Sequence, residues 1–146
     1  LKQLLLMLSC LILTGCAGLA DYTIPLDDGF RIDRLSAHQI AIYGEEPVRT
    51  ENENFINYLY VPTKVTAVWW DHQFIVAKQL HLKTNERGIE KSPKNPTNDD
   101  YSYWIIEKET QEINGPMSQT ELENETNRLF GKTIIFTPIG ELNREY

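Results

Sequence analysis

The sequence predicts an α+β domain: a mostly antiparallel sheet of about five to six strands built from hairpins, with one C-terminal helix (about 118–130) packed on it. Three observations predict it. The β-branched and aromatic runs VTAVWW (65–70) and FIVAKQLHL (74–82) flank Asp71-His72-Gln73, a tight-turn signal between paired strands. YSYWIIEK (101–108) turns at Glu109-Thr110 into a short return strand ending at Gly115. Ser118, with Glu121 three residues on, forms a capping box at the start of a helically spaced segment.

Taken in order, residues 22–44 carry a turn signal at Asp28-Gly29 followed by two alternating runs. In the second run, His38, Ile40 and Ile42 share one strand face, while Ala41 and Tyr43 share the other. EEPVRTENEN (45–54) is a polar loop. Residues 83–100 hold one aliphatic residue, too few to build a core, so they are expected to form a mobile loop. In the helix, Met117 and Leu122 take the hydrophobic-staple positions and Leu122, Thr126, Leu129 and Phe130 line one face. Gly131 supplies the stop, and KTIIFTPIG offers a short final strand.

The first fifteen residues are of another kind. An acid-free start with Lys2 leads into a ten-residue apolar run (4–13), the length of a signal-peptide core and too short to cross a hydrocarbon layer of about 30 Å. Counting on through Ala20 gives 17 largely apolar residues, at the short limit for an uncleaved spanning anchor. The run closes on Leu13-Thr14-Gly15-Cys16, which resembles the lipobox of bacterial lipoproteins. That resemblance implies cleavage before Cys16 and a diacylglyceryl group on its thiol. Two acyl chains, at about 0.8 kcal/mol per buried methylene, hold a protein on a bilayer where one chain binds only reversibly. Leu1 in place of Met reads as a non-ATG start translated literally or a slight truncation.

The expected organisation is therefore a leader at 1–15, a lipidated N-terminus and short linker at 16–21, and a single domain at 22–146. Cys10 leaves with the leader, so Cys16 is the sole mature cysteine and the domain is held by packing without a disulfide. About ten residues separate Cys16 from the first strand, a reach of about 30 Å at most, which keeps the domain near the membrane face. The formal net charge of −7, with no basic stripe, excludes nucleic acid as a partner and leaves the lipid to do the anchoring.

GFRIDRLSAHQIAIY, FIVAKQ (74–79), YWIIEK (103–108) and GPMSQTEL (115–122), behind the lipobox, resemble a family of small bacterial lipoproteins of unknown function, mainly Gram-positive. The resemblance spans almost the whole mature chain. Glu107 stands where aspartate is usual and Met117 where leucine is, both conservative changes. It implies the architecture and the anchor, and no activity or catalytic residue.

Other chemistry is weaker. His38, His72 and His81 show no helical H-x-x-x-H spacing, and an acylated Cys16 offers no thiolate, so no metal is expected. Ser36 and His38 would point alike on one strand face, the wrong geometry for a serine–histidine pair. There is no G-x-S-x-G, phosphate loop or HExxH, hence no catalytic residue and no cofactor. Trp69, Trp70, Trp104 and Tyr103 are the candidate ligand or partner contacts. Trp69 and Trp70 point to opposite strand faces, so one ring lies under the helix, at an interface, or open to a sugar or a partner's pocket. The expectation is a membrane-anchored, extracytoplasmic lipoprotein acting as a non-catalytic binding or envelope-associated module, with the bilayer and a cell-wall or envelope protein as partners. The alternative is a small cell-envelope enzyme or enzyme inhibitor acting on cell-wall material.

Overall fold

The computed structural model describes residues 21–48 and 57–145. The lipobox, including Cys16, and part of the polar loop lie outside the described residues.

Short alternating segments near the start pair into a four-stranded antiparallel sheet, β1 (Tyr22–Pro25), β2 (Arg31–Arg34), β3 (Ile40–Tyr43) and β4 (Leu59–Val61), in that spatial order. The turn between β1 and β2 needs three residues in the left-handed region, Asp27, Asp28 and Gly29, which suits the DDG sequence. The second sheet runs β10-β9-β6-β5-β11 and is also antiparallel. Its strands are β5 (Val65–Trp70), β6 (Phe74–Leu80), β9 (Tyr101–Glu107), β10 (Glu112–Met117) and β11 (Thr137–Pro138). Asp71 Oδ1 accepts bonds from the backbone N–H of Gln73 and Phe74, which makes the β5–β6 turn.

The two sheets pack face to face. Ile24, Ile32, Ile42 and Val61 from the first meet Val65, Val68, Ile75 and Ile106 from the second, all essentially without solvent contact. Each such side chain contributes roughly 1.5–3 kcal/mol of burial. On the other face of the second sheet, Val76, Tyr103 and Ile105 are covered by Met117, Leu122 and Ile134. The helix α1 (Gln119–Phe130) lies there, giving three layers: helix, five-stranded sheet, four-stranded sheet.

The helix forms as the sequence predicts. Ser118 Oγ accepts from the Glu121 N–H, and Glu121 Oε2 accepts from the Ser118 N–H at 2.7 Å. Such a cap is worth about 1 kcal/mol. Gly131 closes the helix at φ 62°, a conformation open to glycine at little cost.

The C-terminal stretch laces the sandwich shut. β11 covers the β5 edge at Val68 and Ala67, Ile139 sits in the inter-sheet core, and Glu145 pairs with Thr23 on β1 at the edge of the other sheet. One edge of each sheet is thereby engaged by one segment.

The α+β class with its C-terminal helix stands, with differences. The described residues hold eleven strands rather than five or six, because β1 and β4 are too short to show a period and two more strands form in the segment expected as a loop. They also divide into two main sheets, so the face opposite the helix is covered by the four-stranded sheet. Residues 83–100, expected as a loop, carry the two-residue strands β7 (Lys83–Thr84) and β8 (Glu90–Lys91) and a 3-10 turn at Asn98–Asp100. Ser36 lies in a turn, its Oγ accepting from the N–H of His38 and of Gln39, and β3 begins only at Ile40. Ser36 and His38 therefore do not share a strand face. Among the described residues no helix is long and apolar enough to cross a membrane.

Candidate functional site: a polar groove beside the helix

Three stretches that are distant in sequence meet at one register line. In the second sheet Lys78 lies opposite Tyr103, and Tyr103 lies opposite Met117. Those residues come from the segments FIVAKQ (74–79), YWIIEK (103–108) and GPMSQTEL (115–122). One residue further on, Gln79 and Trp104 hydrogen-bond on the opposite face.

The helix covers only part of its face of the sheet. Beside it a groove of about 640 Å³ remains, floored by Tyr103, Leu122 and Ile134 and bordered by Asn98, Gln119 and Glu123. Those three border residues also line an adjoining hollow of about 610 Å³ that runs to Tyr101 and Ser118. The concavity is therefore elongated. A ligand site of this type commonly holds about 300–1,000 Å³.

Two opposite charges line the groove. The Lys78 ammonium lies 4.0 Å from the centre of the Tyr101 ring and 5.9 Å from that of Tyr103. It is half-buried, and none of the ion pairs among the described residues involves it. Among the described residues Glu123 Oε1 accepts only a neutral amide bond, from Gln119 Nε2 at 2.9 Å. Burial pushes the Tyr103 phenol above its usual range, with the charges of Tyr101 and Glu123 adding to the effect. A raised pKa in an acid makes the fold favour the neutral phenol. Its contribution is fully present below about pH 10 and is lost as pH rises through the folded value. Titrating phenolate absorbance should therefore show a late-ionising step, and Tyr103→Phe should reduce its amplitude while leaving the earlier steps in place.

The four aromatic residues singled out by sequence do not share one surface. Trp69 faces the helix, with its ring 5.2 Å from Phe130 and the Lys132 ammonium 5.1 Å from its ring centre. Trp70 packs against the inter-sheet core, and its Nε1–H donates to Asp27 at 3.2 Å. Trp104 Nε1–H donates to Gln79 Oε1 at 2.7 Å, and the Gln79 amide in turn donates to the Thr63 carbonyl. Gly115 lies so close over Trp104 that a Cβ there would come within 2.8 Å of the indole. Of the four, Tyr103 lines the groove. Sequence reasoning passed over Lys78, although its signal was available. Phe74, Val76 and Lys78 alternate onto the face that packs under the helix, an unusual position for a lysine.

The histidines stay apart in role. His72 is exposed in the β5–β6 turn, and the His38 carbonyl accepts from the Thr63 hydroxyl. His81 Nε2 lies 2.7 Å from Ser102 Oγ. Among the described residues no group of three metal-ligating side chains forms.

Two stacked antiparallel sheets with a capped helix on the outer face, beside a polar groove, define an α+β domain. Residues 27–133 match the family model described as a protein of unknown function, DUF3997, and the chain belongs to that family. Comparison with curated proteins and with solved structures gives no match. The family match takes in the whole groove apart from Ile134 and the tail beyond it.

Proposed function

We propose that this chain is an extracytoplasmic lipoprotein, held to the membrane through diacylated Cys16, whose domain is a non-catalytic binding module working through the groove beside α1. The address rests on the LTGC motif and the charge order before it. The binding role rests on one observation: a half-buried lysine and a glutamate face the same elongated groove without being paired to one another.

The enzyme alternative has one contact in its favour, the His81–Ser102 bond. A nucleophilic serine needs its histidine oriented by a third group, and among the described residues His81 makes no second side-chain bond. Ser102 borders the adjoining hollow, but on β9 it alternates away from Tyr103, which floors the groove.

Fractionating cells that express Cys16→Ala tests the anchor: the protein should leave the membrane fraction, and unchanged retention would refute lipidation. For the groove, an enzymatic digest of cell-envelope material is passed over the immobilised full chain. Thr133→Trp, which fills the groove from an exposed position, should abolish retention of the bound fraction. Equal retention by the variant removes the groove from the account.

A further inference from the structure

We propose that the groove takes a short zwitterionic peptide, with its terminal carboxylate on Lys78 and its amine toward Glu123. This deepens the binding reading and rests on it. The chain is acid-rich, with 21 Asp and Glu against 14 Lys and Arg, so a lysine readily finds a carboxylate. Lys83 pairs with Asp100 and Lys108 with Asp28, while Lys64 bonds Ser92. Lys78, more enclosed than Lys83 or the exposed Lys91 and Lys94, has among the described residues only the Tyr101 and Tyr103 rings. A π-face stabilises an ammonium but accepts no strong hydrogen bond, so its N–H donors remain available to an anion.

Glu123 narrows the ligand further. A simple anion meets both that carboxylate and the overall charge of −7. A ligand carrying one charge of each sign satisfies Lys78 and Glu123 together. The carboxamides of Asn98, Gln119 and Asn127, which line the same groove, each offer a donor and an acceptor, the same pair a peptide bond requires. Leu122, Ile134 and Phe136 give a small apolar side chain a place to lie. A sugar would need an open ring for stacking. Here the Tyr101 face carries the ammonium and Tyr103 is 4% exposed, so a peptide fits the groove better.

Calorimetric titration of the full chain in detergent tests this, with trialanine as the probe. Trialanine amide, N-acetyl-trialanine and chitotriose serve as comparisons. Saturable trialanine binding is expected, weakened about tenfold by either blocked end. Lys78→Met should weaken trialanine about tenfold while leaving trialanine amide unchanged, and Lys78→Arg should restore most of the difference. Equal affinity for trialanine and its amide, or no trialanine binding, overturns the proposal. Binding of chitotriose alone, abolished by Thr133→Trp, overturns the peptide and leaves the groove standing. Retention of envelope material unaffected by Thr133→Trp removes the groove itself.

Discussion

A chain ended after Phe136 is expected to be unfolded at 25 °C. The lost segment supplies β11, the buried Ile139, the half-buried Leu142 and the Glu145–Thr23 pairing. Its removal bares the β5 edge and opens the inter-sheet core at one seam. Domains of this size have only about 5–15 kcal/mol of stability in total. Filling one buried site and closing two edges accounts for a large share of that. Near-UV circular dichroism of the shortened chain should be featureless. Because a truncation is drastic, Ile139→Ala gives a graded version, expected to cost about 2–4 kcal/mol by urea unfolding. A loss within about 0.5 kcal/mol would show that the tail merely lies on the sandwich.

The second large effect is expected at Lys108. Its side chain is 3% exposed, and Nζ donates to the Leu26 carbonyl at 2.8 Å and to Asp28 at 3.2 Å. The lysine thus ties the β9–β10 turn to the β1–β2 turn, joining the two sheets at one end. Lys108→Ala removes the packed stem and leaves the Leu26 carbonyl without that donor, a cost of about 2–4 kcal/mol. At about 4 °C per kcal/mol, Tm should fall by about 8–16 °C. Asp28→Asn should change stability by less than about 1 kcal/mol, because the Asp28 carboxylate is 59% exposed and solvent-screened. Equal losses from the two variants would place the stabilisation in the ion pair rather than in the buried bond to Leu26.

Both effects come from features that the sequence hides. Lys108 ends the run YWIIEK, where a lysine reads as a solvated strand end. Its burial depends on a carbonyl 82 positions earlier in the chain. Ile139 stands among Pro138 and Gly140, outside any period. Local pattern was sufficient for the β5–β6 hairpin, whose alternation extends through six and seven residues, and for α1, whose cap is written in Ser118 and Glu121. The opposed faces of Trp69 and Trp70 were legible too, and they do require covering on both sides. What covers the second face was not legible. The Tyr43–Leu59 pairing that completes the four-stranded sheet crosses a polar loop, and no local period encodes a partner that far away.

The groove was half-legible for the same reason. Tyr103 stood out as an aromatic. Lys78 belongs to the site only because Tyr103 is its cross-strand neighbour, and Asn98 and Glu123 arrive from a turn and a helix that no single stretch links. Large rings drew attention in the sequence, yet Trp104 and Trp70 use their indole N–H groups inside the fold, on Gln79 and Asp27. The groove is instead a meeting of amides and two charges, which composition alone does not flag.

Amide chemical-shift mapping of the isotope-labelled full chain, titrated with an envelope digest, tests the central claim most directly. The groove should respond first, with shifts concentrated at Lys78, Asn98, Tyr103, Gln119 and Thr133. Shifts confined to the outer face of the four-stranded sheet, around Leu35, Tyr43 and Leu59, would contradict the account and move the working surface to the opposite side of the domain.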